Sequence, residues 1–129
     1  MDFIDKILRE HGAMVGRMLI GLLFVFSGVG IVMNGVDGFV GMIEARGLPM
    51  ASLLAWVVVL IKIAAGGALM LGYKTKEAAL ALLVFTLLAT VFYHMNLDDI
   101  NLFKNLAIAG GLMYVYVYGP GQGWKLKLN

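Results

Sequence analysis

The sequence predicts an all-α, polytopic membrane protein, an antiparallel bundle of four transmembrane helices with both termini cytoplasmic. Two observations carry the fold class. Of 129 residues, 61% are apolar and only 14% charged, with a mean hydropathy of +0.91, against roughly 45–50% apolar and about 25% charged in soluble domains. Four windows of spanning length are free of charge or carry a single one, and lipid offers no partner to an exposed polar group. Four spans of about 20 residues occupy most of such a chain, so 1–129 reads as one membrane domain with no room for a separate soluble catalytic domain.

The first window runs from Arg17 to Asp37 and predicts a span near 15–34. A secretory leader is the competing reading, but the run stays apolar through Val32 and Met33 and no Ala-x-Ala cleavage pattern follows. Ahead of it, over 1–13, Phe3, Ile4, Ile7 and Leu8 fall on one side of a short helix. Asp2, Asp5, Lys6 and Arg9 fall on the other, the pattern of an interfacial amphipathic helix. The stretch from Asp37 to Arg46 has room for one or two interfacial turns before Gly47-Leu48-Pro49.

Between Arg46 and Lys74 the only charge is Lys62, which predicts a second span near 51–72. Clean windows from Glu77 to Asp98 and from Lys104 to Lys125 predict spans near 77–95 and 103–118. The short turn around 73–77 makes helices two and three antiparallel neighbours. The glycine-rich stretch from Gly119 is a helix stop that opens a tail over 119–129. The N-terminal segment, the 73–77 turn and the tail hold most of the Lys and Arg residues, which predicts the cytoplasmic side for both termini.

Helices gain little from hydrophobicity inside lipid, so small residues mark their seams. Arg17, Gly21, Phe24 and Gly28 form one stripe in helix one. Ala55, Val58, Lys62, Ala65, Gly66 and Leu69 align in helix two, and Lys104, Ala107 and Gly111 in helix four. Most glycines therefore read as packing devices.

Lys62 is the most informative residue. It lies near mid-span, where a charge costs at least about 2.5–3.5 kcal/mol and where a lysine stem cannot reach the headgroups. Its stripe points it into the bundle, either as a ligand contact or as a structurally paired or neutral amine. Thr86, Thr90 and His94 form a polar stripe on helix three. The threonine hydroxyls have carbonyls four residues back as ordinary partners. His94 can bind a quinone oxygen or pass a proton, or be satisfied by Asn96, Asn101 or Asn105.

The composition also excludes function classes. Without cysteine there is no thiolate nucleophile, iron–sulfur cluster or covalently attached haem. His11 and His94 are predicted on opposite faces, which removes an intrasubunit bis-histidine haem. No metal-ligand spacing, P-loop or serine-hydrolase constellation occurs. Ten basic against eight acidic residues is too even for a nucleic-acid groove. The expected partner is therefore the lipid bilayer, with no cofactor of the chain's own.

From Arg17 to Gly121 the chain resembles the DoxX family of small four-helix bacterial and archaeal membrane proteins. The resemblance rests on Arg17 followed by Phe26-Ser27-Gly28-Val29-Gly30, on Glu44 ahead of Gly47-Leu48-Pro49, and on Gly66-Gly67 ahead of Leu71-Gly72-Tyr73-Lys74-Thr75-Lys76. It continues with Phe85-Thr86-Leu87-Leu88-Ala89-Thr90 and His94, with Phe103-Lys104-Asn105-Leu106-Ala107-Ile108-Ala109-Gly110-Gly111, and with Gly119-Pro120-Gly121. Named members are linked to a thiosulfate:quinone oxidoreductase and to membrane oxidoreductase assemblies. The resemblance implies a bacterial or archaeal cytoplasmic-membrane location. Two positions depart from the family: the usual lysine after Gly-x-Gly is Ile31, and the usual glutamate of helix two is Lys62. The nearest matching acid is Glu44, expected to fold inward toward Lys62 or Lys104.

The leading functional expectation is a membrane subunit of a quinone-linked oxidoreductase, with a soluble or membrane partner supplying electrons and a quinone-like pocket inside the bundle. Phe24, Phe85, Phe92 and Tyr93 are candidate walls. The candidate ligand-binding residues are Lys62, His94, Glu44, Lys104, Asn105, Arg17 and Thr90; no catalytic residue is assigned. The alternatives are a binding or transport protein for a small anion or acid, which favours a homo-oligomer, and a structural partner that assembles another membrane complex.

Overall fold

The computed structural model describes residues 2–93, 98–121 and 124–125. Five helices follow one another: α1 (Asp2–Met33), α2 (Val36–Ala45), α3 (Ala51–Leu71), α4 (Thr75–Tyr93) and α5 (Ile100–Tyr118). All but α2 are long and apolar enough to cross a membrane. No strand occurs among the described residues.

α1 joins the N-terminal segment and the first span. It is one unbroken helix of 32 residues, about 48 Å at the usual rise, against roughly 30 Å of hydrocarbon. Gly12 and Gly16 lie where the two segments meet. Isolated glycines only weaken a helix, by about 1 kcal/mol each, and no proline interrupts the stretch. The segment runs into the first span without a break in the helix, and residues 2–11 are exposed. Arg9 pairs with Asp5 one turn away at 2.8 Å. α2 is longer than the turn or two expected. Its Ile43 packs with Ala51 and Ala55 at the start of α3.

α1 packs most closely on α3 and α4 on α5; α3 and α4 join the two pairs, and α1 meets α5 only sparsely. The α1/α3 seam is a backbone approach: a Cβ added to Gly21 would lie 2.5 Å from Gly66 O. The buried residues of α1 are Arg17, Gly21, Phe24 and Gly28, the stripe that small-residue spacing predicts. A central cluster of Phe24, Leu69, Ala79, Leu82 and Leu112 links the spans.

In α5 the expected stripe is rotated. Leu102, Ala109 and Leu112 are buried, whereas Lys104 and Ala107 are exposed. An alanine is as content against acyl chains as against a helix, so leucine size rather than smallness sets this face. Gly16, Gly30, Gly67 and Gly110 likewise have no neighbour at all where a Cβ would stand, so they are not close-packing positions.

Opposite α2, Arg17 gathers the other end of the bundle. It is 1% exposed. Its guanidinium donates to Leu69 O at 3.1 Å and Met70 O at 2.7 Å in the last turn of α3, to Pro120 O at 3.1 Å and to Trp124 O. Helix C-termini leave carbonyls unpaired and carry the negative end of the macrodipole, so a planar cation with several donors fits there. Gly72, at φ 71, ends α3 in the left-handed conformation. A Cβ there would stand 2.9 Å from Arg17 Cζ, so the site needs glycine twice over.

Candidate functional site

The α1/α3 seam also positions the candidate site. Gly28 lets α1 approach until a Cβ at that position would lie 3.1 Å from Lys62 Cβ, and this brings the preceding residue, Ser27, beside the lysine. Lys62 Nζ donates to Ser27 Oγ at 2.8 Å and lies 5.4 Å from the centroid of the Phe85 ring. Phe85 meets Phe24 edge-on, with centroids 6.4 Å apart. A hydroxyl and a ring face make up the surroundings of a mid-span amine. No carboxylate pairs with it among the described residues.

These residues line a cleft of about 290 Å³ enclosed by α1, α3, α4 and α5. α5 adds Lys104 and Asn105, and α4 adds Thr86. Thr86 is 4% exposed, and its Oγ1 has no hydrogen-bond partner. A buried hydroxyl left unmatched costs about 1–3 kcal/mol. The cleft thus presents two lysine amines, two hydroxyls and an amide, with no acidic residue among its described lining residues. Chemically it can donate several hydrogen bonds to acceptor oxygens, against aromatic walls.

The sequence-predicted site residues separate in space. Lys62, Lys104 and Asn105 come together in the cleft. Thr90 does not join them: its Oγ1 donates to Thr86 O at 2.7 Å, the ordinary bond of a helical threonine. Arg17 is committed to backbone carbonyls at the other end of the bundle. The expected inward fold of Glu44 does not occur. With Ile43 packed against α3, its neighbour is turned about 100° around the helix, and Glu44 is exposed beside Leu48 and Ser52. It forms no ion pair with Lys62 or Lys104. His94 lies outside the described residues, and so does the side chain of Tyr93. Of the candidate walls, Phe24 and Phe85 line the cleft, whereas Phe92 is 43% exposed and stands apart from it.

Ser27 and Thr86 were the residues that spacing undervalued. Ser27 is legible only once Gly28 is recognised as the point of closest approach to Lys62. For Thr86 the obvious partner is the carbonyl four residues back, yet its Oγ1 bonds to nothing.

Comparison with known proteins agrees with this architecture. Residues 12–95 match the DoxX family profile. The chain belongs to the DoxX family. Inner membrane protein YqjF of Escherichia coli K12 is 32% identical over 120 residues, covering 90% of this chain and 90% of the relative. Inner membrane protein YphA of the same organism is 30% identical over 117 residues, 84% of this chain and 83% of the relative. No solved structure matches the chain. As a DoxX protein with four spanning helices, it is a multi-pass protein of the cytoplasmic membrane.

Proposed function

We propose that this DoxX protein is a ligand-binding membrane subunit whose cleft holds a small molecule through anionic oxygens. One observation carries the reading: the cleft converges Lys62, Lys104, Ser27, Asn105 and the unmatched Thr86 hydroxyl on one space and includes no described acid to balance the amines. An intramembrane cation is expensive unless it is paired or hydrated, so a bound anion supplies what the chain leaves out. Ser27 holds the Lys62 amine in place, and the Phe85 face stabilises an ammonium by roughly 0.5–2 kcal/mol depending on its hydration.

A quinone headgroup serving an oxidoreductase partner is the second reading. It is favoured by the Phe24–Phe85 pair, which offers an edge and a face to a flat ring, and by donors suited to a carbonyl oxygen. The two readings differ in charge. The test is mass analysis of small molecules that co-purify with the protein in lipid nanodiscs, for the parent chain and for Lys62→Gln. A stoichiometric acid that disappears in the variant is the expected result. A stoichiometric quinone replaces the first reading with the second, and an empty cleft in both preparations removes both.

A further inference from the structure

The cleft has a side as well as a depth. Two of its lining residues are well exposed: Leu23 of α1, at 44%, and Lys104 of α5. They flank the seam where α1 and α5 meet only sparsely, whereas the α1/α3 seam behind the cleft is sealed by Gly21, Gly28 and Gly66. Depth follows from helix rise. Lys104 stands about 6 Å along α5 from Ile100, whereas Leu23 is about 15 Å along α1 from Met33, and Lys62 about 16 Å along α3 from Ala51. The α5 edge of the mouth therefore lies near the headgroups, while its α1 edge and the inner amine lie at hydrocarbon depth.

We propose that the cleft is loaded sideways from the bilayer, through the α1/α5 seam, and that its ligand is an amphiphile with an anionic headgroup on an acyl chain. The identity of the headgroup rests on the anion reading above; the route and the chain do not follow from that reading. The headgroup passes Lys104 and Asn105 at the mouth and comes to rest against Lys62, Ser27 and Thr86, while the chain stays among the lipids past Leu23. An exposed leucine at that depth is a compatible surface for an acyl chain. For an ion arriving from water it would be a barrier.

The experiment reconstitutes the full chain in phosphatidylcholine nanodiscs and follows immobilisation of three probes. Spin-labelled stearate and spin-labelled phosphatidylglycerol are read by electron paramagnetic resonance, and water-soluble butyrate by its ability to displace them. Immobilised stearate, immobilised phosphatidylglycerol or both, with butyrate at least tenfold weaker, is the expected result, and the pattern distinguishes a free acid from a lipid headgroup. Lys62→Gln should reduce immobilisation at least tenfold. Leu23→Trp, a bulky plug at an exposed position, should reduce it severalfold while helicity and monodispersity are unchanged.

Butyrate as effective as stearate overturns the lateral route and leaves the anion reading standing. Immobilisation of either lipid probe that is indifferent to Lys62→Gln overturns the anion reading and the headgroup assignment together. Unchanged binding in Leu23→Trp overturns the route through this seam, and no binding of any probe overturns both proposals.

Discussion

Arg17 and Lys62 are both basic residues on spanning helices, yet the bundle treats them oppositely. Arg17 meets four carbonyl oxygens from two parts of the chain, so little of its donor capacity is left for anything else. Lys62 has one hydroxyl and a ring face, beside a threonine whose own hydroxyl is unmatched. A charge matched by backbone acceptors closes a fold; one left partly matched beside a cleft has capacity for a guest. Removing the first should therefore harm the scaffold, and removing the second should harm binding.

The largest effect is expected at the first. Arg17→Met strands carbonyls at the end of α3 and releases Pro120 and Trp124, costing about 3 kcal/mol, measured as a lowered detergent-denaturation midpoint. Arg17→Lys should recover only a small part, because one ammonium cannot reproduce the guanidinium fork. If Arg17→Met unfolds at the parent midpoint, the contrast between the two cations is broken.

Next in size is the α1/α3 seam. Gly21→Ala forces a Cβ against Gly66 O and Met70 and should cost about 2 kcal/mol. Gly67→Ala, with open space around it, should be neutral or slightly stabilising by the same denaturation assay. Equal effects at the two positions would mean that the seam does not hold the cleft in shape.

Lys62→Met sharpens the comparison by its sign. Replacing an imperfectly matched buried charge with an apolar side chain should raise stability by about 1 kcal/mol, the reverse of the Arg17 result. A loss of stability would show that Lys62 is structural. The smallest effect is expected at the threonines. Thr86→Val should leave stability within about 0.5 kcal/mol or improve it, since it removes an unmatched hydroxyl, whereas Thr90→Val gives up a real bond and should lose up to about 1 kcal/mol.

The spans were legible because charge-free length is a property of sequence alone: the second is predicted at 51–72 and runs Ala51–Leu71. The face of α1 was equally plain, since Arg17, Gly21 and Gly28 each have a strong reason to avoid lipid. Helix α5 defeated the same reasoning because alanine has no such reason, and lipid and protein compete for it on equal terms. At the site, Lys62 announced itself by its cost in hydrocarbon, and Lys104 and Asn105 by the Phe103-Lys104-Asn105 motif that carries the family resemblance. Ser27 and Thr86 did not, because a serine or threonine in a helix is ordinarily satisfied by its own backbone. Glu44 misled for a different reason: its sequence position matched the family, but the packing of Ile43 decides where α2 turns its neighbour.

The clasp made by Arg17 has a consequence for how the protein is made. Its acceptors lie 52 and 53 residues downstream in α3 and then 103 and 107 residues downstream, beyond α5. A ribosome therefore delivers the guanidinium to the membrane long before it delivers the last of the oxygens that will receive it. Until Pro120 and Trp124 emerge and present those carbonyls, the first helix is inserted but unfastened, and maturation of the bundle waits on them.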